Sequence, residues 1–443
     1  MRLSLAGALL GLLAVAVPAA AQDANYWSIQ YGPVAQLLGG QVVGSSRDLS
    51  ATYYNPGGLA LTDTTPFLLS VQAFQLESVS LQPEGAGVLQ ASSTVLAPAP
   101  SLTAGSFPKG WLGENSRLAW SFLVREQLNV RLTQRYSAVD PASGVRVAAE
   151  ALFDQDMSEN WGGLTFSRRL GERFGLGATI YGAWRGQRTR REVNIESADS
   201  RAPFTALNVT DFDYGHARGL MKAGLAWEGD TLRLGLAVTT PSVSVFGGGN
   251  VVETRSVNGL DADGDGKPDV KLDATAQSDL DAYYRSSWAF AGGASFRHGR
   301  TEVSVTGEYF VPVDRFTVID LGADAAASTR QFTQQLSGVF NGGIGIEHKL
   351  YSGTAVYAAF ATDFSAAVGD PNVNVAASTW NLYHLTTGTA FTIAGSRFTL
   401  GVSGAFGSDL RRFPPDTPVV GDRPVSDLKY RRLTFVLGFV FGQ

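Results

Sequence analysis

Arg432-Leu433-Thr434-Phe435-Val436-Leu437-Gly438-Phe439-Val440-Phe441 closes the chain with strict two-residue alternation. Successive side chains of a strand point to opposite faces. Leu433, Phe435, Leu437, Phe439 and Phe441 therefore share one face, and Arg432, Thr434, Val436, Gly438 and Val440 the other. An aromatic and aliphatic row opposite a mixed row is the pattern of a strand between lipid and a lumen. It recurs upstream. Phe398, Leu400, Val402 and Phe406 oppose Arg397, Thr399, Gly401 and Ser403, and Val303, Val305, Tyr309 and Val311 oppose Glu302, Ser304, Thr306 and Glu308. Met221, Ala223, Leu225 and Trp227 oppose Lys222, Gly224 and Ala226, and Leu118, Trp120, Phe122 and Val124 oppose Ala119, Ser121 and Arg125. Carboxylates and hydroxyls on the second face suit a wet lumen and not the dry core of a sandwich.

Working outward from these strands, the connections alternate between short and long. Short turns fall at Gly171-Glu172, Gly229-Asp230, His298-Gly299, Ser352-Gly353 and Gly395-Ser396, with a longer one between Pro108 and Ser116. Glycine supplies the positive φ of tight hairpins. Long connections are expected near 83–92, 134–158, 193–217, 248–286, 315–335, 367–377 and 410–428. This gives an all-β protein, a transmembrane antiparallel β-barrel of about fourteen strands. No fixed-period repeat supports a propeller or solenoid.

Composition agrees. The chain of 443 residues contains 51 Gly, 11% aromatics and no Cys, so a closed sheet and not disulfides must supply the stability of an exported protein. The net charge of −5 is dispersed and excludes a nucleic-acid surface. Met1-Arg2, the apolar run 3–17, Pro18 and Ala19-Ala20-Ala21 read as a signal peptide over 1–21. Residues 22–63 form an N-terminal plug and 64–443 the barrel, located in the bacterial outer membrane and surrounded by its lipid. The final strand presents Phe441 as the aromatic read by the barrel assembly machinery, with Gly442-Gln443 overhanging.

The plug segment is Gly-rich and interrupted, running through Gly44-Ser45-Ser46-Arg47-Asp48 to Ala51-Thr52-Tyr53-Tyr54-Asn55-Pro56-Gly57-Gly58-Leu59. Pro56 fixes φ and removes a donor, and the glycines permit close backbone approach. With Asp48 and the Asn55-Pro56-Gly57-Gly58-Leu59 element just before the first strand, this segment resembles the N-terminal hatch of the FadL-type outer-membrane transporters. That resemblance implies a passive monomeric channel for a hydrophobic small-molecule ligand, a long-chain fatty acid or an aromatic hydrocarbon. It also implies gating by the hatch at Asp48, Asn55, Pro56, Gly57 and Gly58, and sideways release into the bilayer through a kinked third strand. Lateral release avoids hydrating each methylene, at roughly 0.8 kcal/mol apiece. The third strand here, 118–132, carries no Gly or Pro, whereas Ala97-Pro98-Ala99-Pro100 interrupts the second. Pro disrupts a strand ladder, which places the expected lateral opening beside Pro98 and Pro100. The alternative to transport is a FadL-like barrel serving as a secretion or surface-attachment scaffold. A plug disfavours an open aqueous porin.

Arg125, Arg185 and Arg233 face the lumen, where they either meet a ligand carboxylate or brace acids such as Glu302 and Glu308. Trp111, Trp120, Trp184, Trp227 and Trp288 fit interfacial girdles. Asp261, Asp263, Asp265 and Asp269 around Gly266 have the spacing of a calcium loop, although Leu272 stands where such loops carry a bidentate acid. A structural Ca2+ in an external loop is the one ion expected, and no cofactor is required. His216, His298, His348 and His384 lack metal-site spacing and no G-x-S-x-G element is present, which argues against an enzyme.

Overall fold

The computed structural model describes residues 24–62, 67–83, 91–108, 111–139, 145–197, 199, 203–260, 267–322, 332–350, 353–368, 380–411 and 426–441. The expected signal peptide lies outside them. Three short helices come first, α1 (Pro33–Leu37), α2 (Ala51–Tyr54) and α3 (Pro56–Leu59). The strands follow as β1 (Phe67–Pro83), β2 (Ala91–Ser106), β3 (Ser116–Val139), β4 (Arg146–Leu170), β5 (Phe174–Ser197), β6 (Phe204–Glu228), β7 (Leu232–Thr239), β8 (Val243–Leu260) and β9 (Asp269–Asp281). The second half comprises β10 (Ala289–His298), β11 (Thr301–Phe310), β12 (Val313–Ile319), β13 (Phe332–Leu336), β14 (Val339–Lys349), β15 (Thr354–Asp363), β16 (Leu382–Ile393), β17 (Ser396–Arg411) and β18 (Ser426–Phe441).

Fourteen of these close a ring, all but β8, β9, β12 and β13. Closure is antiparallel, from Phe67↔Phe441 to Pro83↔Ser426. Alternation places side chains as the pattern requires. On β18, Leu433 and Phe435 are exposed while Arg432, Thr434 and Val436 are buried, and on β11 Val305 and Tyr309 are exposed while Ser304, Thr306 and Glu308 are buried. At the short-turn end Gly171 and Gly299 adopt φ 65 and φ 58. The last short turn is Ala394-Gly395 (φ 50 and 74), one residue earlier than expected, and Ser396 already pairs with Ile393.

Several expected loops are strand. β3–β4 pairing continues to Val139↔Arg146 and β4–β5 to Ala148↔Glu196, so 134–158 and 193–217 are largely ladder. The 248–286 stretch holds most of hairpin β8–β9, which extends β6, and 315–335 holds most of β12–β13. Crossing a bilayer takes about 9–11 tilted residues; β4 has 25 and β10 has 10, so one side of the ring projects well beyond the membrane. There the outward face is exposed Arg131, Arg135, Arg188 and Arg190 instead of lipid-facing apolar groups, which erases the hydrophobic alternation while the backbone pairing continues.

Candidate functional site

Residues 24–62 are almost wholly buried and touch the ring from inside on many sides. Glycines on the wall make this possible. A Cβ on Gly293 would meet Gly44 N at 2.7 Å, one on Gly345 would meet Leu38 O at 2.9 Å, and one on Gly343 would meet Gln41 Nε2 at 2.6 Å. Gly57 seats between the carbonyls of Gly175 and Gly224, at 2.5 and 2.6 Å from its own absent Cβ. Hatch and wall therefore meet backbone to backbone.

Asn55 organises this seat. Its Nδ2 donates to Val43 O (2.9 Å) within the hatch and to Leu225 O (3.0 Å) on β6, while its Oδ1 accepts from Gly57 N (3.1 Å) and caps α3. Pro56 is the first residue of α3, where a missing N–H costs nothing. Asp48 acts inside the hatch, accepting from Ser50 N at 2.8 Å and from its hydroxyl. A Cβ on Gly58 would meet Ser46 O at 2.7 Å. Arg47 pairs with Glu228 at 3.4 Å. At the other end of the hatch, Asp363 on β15 accepts from Trp27 N (2.9 Å) and Ser28 Oγ (3.0 Å), and its carbonyl accepts from Asn25 Nδ2 (2.8 Å). Glu308 accepts from Trp27 Nε1 at 2.7 Å. Sequence reasoning missed Asp363 as a hatch anchor; an acid at the end of an otherwise apolar strand was its only signal.

Above the hatch lies a cavity of about 50 Å³, bounded by Tyr26 and Tyr53 of the hatch, by Arg125, Trp161 and Lys222 of the wall, and by Tyr284. It has room for a few waters, well below the ~150 Å³ of an apolar cavity that takes benzene. Its ionic groups are largely paired. Arg185, fully buried, reaches Glu126 at 3.3 Å, Glu159 at 3.1 Å and the Tyr214 hydroxyl at 2.9 Å. Arg218 also pairs with Glu159, and Lys222 lies 3.8 Å from Glu308. Arg125 differs. It is 5% exposed, stacks 5.7 Å from the Trp161 ring, and has no carboxylate within 4.0 Å among the described residues; its Nη1 lacks a hydrogen-bond partner. Burial pushes the nearby Tyr53 phenol up to about 12, so that hydroxyl stays neutral. Arg233 is elsewhere, bracing Glu228 (3.0 Å) and Glu302 (3.1 Å) near the short turns.

The wall is not uniformly paired. β2 pairs with β3 only over Leu102↔Leu123 to Ser106↔Ala119, although β2 begins at Ala91 and β3 continues to Val139. Pro100 and Pro98 stand on the stretch of β2 without a β3 partner among the described residues; Pro100 pairs with Val71, and Pro98 falls in a register shift. β3 bulges between Val124 and Glu126 where β2 departs, turning both Arg125 and Glu126 inward. The third strand, although it carries no Gly or Pro, is thus irregular at this point. The change of phase is one of burial alone: even-numbered residues face out through Val124 and in from Glu126. The apolar residues Leu118, Trp120, Phe122, Val124, Leu128, Val130 and Leu132 keep to even numbers throughout, so no sequence signal marks it. The hatch touches both sides of this seam. Tyr31 OH donates to Val124 O (3.1 Å), and Gln36 Nε2 to Ser101 Oγ (2.8 Å).

Of the proposed calcium ligands, Asp261, Asp263 and Asp265 lie outside the described residues, and Asp269 opens β9 with Lys271 Nζ at 3.8 Å. His384 lies 3.6 Å from Asp363.

No protein-family model and no curated protein match the chain. Solved structures do. A Pseudomonas aeruginosa FadL homologue superposes with TM-score 0.61 at 11% identity, covering 94% of this chain and 99% of its own. The Pseudomonas putida toluene transporter TodX gives 0.59 at 10% identity, with 94% and 99% covered. CymD, a monoaromatic hydrocarbon channel, gives 0.53 at 9% identity, with 94% and 98% covered. Over nearly its whole length, the chain has the FadL-type fold, a fourteen-strand barrel with its own N-terminal segment inside the ring.

Proposed function

We propose that this chain is a passive outer-membrane channel for hydrophobic molecules, gated by residues 24–62, with lateral release through the β2–β3 seam. The seam carries the proposal. A barrel that only supports other proteins has no use for an unpaired stretch of wall, least of all one braced from within by Tyr31 and Gln36. The cavity is smaller than any such ligand, so passage requires the hatch to move. Arg125 supports an acidic head over a bare hydrocarbon. The lining holds three cations (Arg125, Arg218, Lys222) and three carboxylates (Glu126, Glu159, Glu308). Arg185 behind it also pairs with Glu126 and Glu159, so Arg125 is the cation with no carboxylate within 4.0 Å among the described residues.

The test is uptake of labelled oleate and toluene by cells lacking their own fatty-acid channel and expressing this chain. Oleate uptake exceeding that of toluene, and impaired by Pro98→Thr with Pro100→Thr, is expected. Uptake of neither by a correctly assembled barrel would refute transport. It would favour the scaffold alternative, to which the charged sheet projecting from β3 to β9 lends support.

A further inference from the structure

Hairpin β12–β13 stands apart from the wall sheet and is bonded on both flanks. On one flank Tyr283 N donates to Val318 O at 2.8 Å, Asp320 N to Asp281 O at 2.9 Å, and Ala282 bridges Ile319. On the other, Ser337 N donates to Ala366 O at 2.7 Å and Leu336 bridges Ala367. The 365–367 segment then bonds to the hatch, as Ala366 N donates to Ala24 O at 2.8 Å and Asn25 bridges Ser365. Five extended segments therefore run in order across the lumen: 281–283, β12, β13, 365–367 and 24–25.

Side chains follow the same line. Phe316, Val318 and Phe332 pack with Phe212 and Tyr214 of β6, the Phe212 and Phe332 rings 4.9 Å apart. Leu336 packs with Ala24, Tyr26 and Trp27 of the hatch. Tyr284, just past the first segment, lies under two guanidinium groups, 4.4 Å from Arg185 and 4.5 Å from Arg218, and with Leu336 it borders the cavity.

We infer that β12–β13 and the 281–284 strap form an outer gate over the cavity, continuous through 365–367 with the hatch, so that a ligand parting the outer gate loosens the first residues of the hatch. A sheet transmits such a change because each segment takes its backbone partners from the next, and losing one edge leaves unpaired donors and acceptors on its neighbour. The first hatch residues are the terminal strand of this series. The inference rests on the proposed channel function and names the residues that admit its ligand.

Because the chain has no Cys, engineered pairs report cleanly. Ala282→Cys with Ile319→Cys locks the outer gate, and Leu336→Cys with Ala367→Cys locks its other flank independently. Ser45→Cys with Ser304→Cys, at positions whose hydroxyls lie 3.4 Å apart, locks the hatch to β11. Each is assayed for labelled-oleate uptake, oxidised and after reductant. Either outer lock is expected to lower uptake at least tenfold, with recovery on reduction. If the hatch lock blocks uptake and both outer locks leave it unchanged, the outer gate is overturned and the channel stands; if no lock has an effect, both fall. Coupling is read in planar bilayers, where oxidising the 282–319 pair in an Asn55→Ala background should suppress the leak of the loosened hatch. A leak unaffected by that lock overturns the coupling.

Discussion

Replacing Asn55 with Ala removes three hydrogen bonds, to Val43 O, Leu225 O and Gly57 N, without touching the barrel ladder. Each is worth roughly 0.5–1.5 kcal/mol net. The loss leaves two carbonyls, Val43 O and Leu225 O, without this donor and one amide, Gly57 N, without this acceptor. The bond to Leu225 joins hatch to wall; the other two shape the turn that lets Gly57 enter between Gly175 and Gly224. A combined loss of about 3 kcal/mol falls on the seated hatch, which at 1.4 kcal/mol per tenfold raises the unseated population on the order of 100-fold. Asn55→Ser keeps an oxygen able to cap Gly57 but reaches neither carbonyl; the loss of about 2 kcal/mol should shift the population about 30-fold. Single-channel recording in planar bilayers reads this directly as the frequency of open events, with heat-modifiable mobility on gels verifying that the barrel assembled. An assembled Asn55→Ala barrel as silent as the wild type would refute the reasoning, because the hatch would then be held by contacts that bypass this residue.

Gly57→Ala forces a methyl against two carbonyls at 2.5 and 2.6 Å, and the strain of about 1–3 kcal/mol should likewise appear as leak, with near-normal barrel stability in thermal denaturation. Arg125→Gln removes the unpaired charge and should weaken uptake of oleate about tenfold or more while sparing toluene, since a charge-assisted bond contributes roughly 1.5–3 kcal/mol; equal effects on both ligands would show that Arg125 has no role with the acid head. Asp363→Ala withdraws the acceptor from Trp27 N and Ser28 Oγ and should speed hydrogen exchange at Trp27, measured by mass spectrometry of N-terminal peptides. If the 261–269 segment binds calcium, calorimetry should give a dissociation constant of about 10⁻⁴–10⁻³ M, as in extracellular modules, abolished by Asp261→Asn with Asp263→Asn.

The membrane-spanning halves of the strands were legible because lipid on one side and lumen on the other impose a two-residue period, clearest at β18, β17 and β11. The hatch was legible because close backbone approach demands the glycine and proline of 55–59. Beyond the membrane the period fades, since outward positions on β3 and β5 need only be soluble, and the sequence reads as loop where the ladder continues. The bulge at Arg125 carries no glycine or proline, and the apolar row stays on even numbers across it, so local pattern does not mark it. The series linking 281–283, β12, β13, 365–367 and 24–25 joins segments tens of positions apart and, at its last link, Asn25 to Ser365, more than 300, and local pattern holds no trace of such pairing.

The central claim is that the hatch must move for a hydrophobic ligand to pass, and the Ser45→Cys with Ser304→Cys pair tests it most directly. With the pair oxidised, labelled-oleate uptake should fall to the level of cells lacking the channel and return on reduction. Undiminished uptake through an oxidised, correctly assembled barrel would contradict the account.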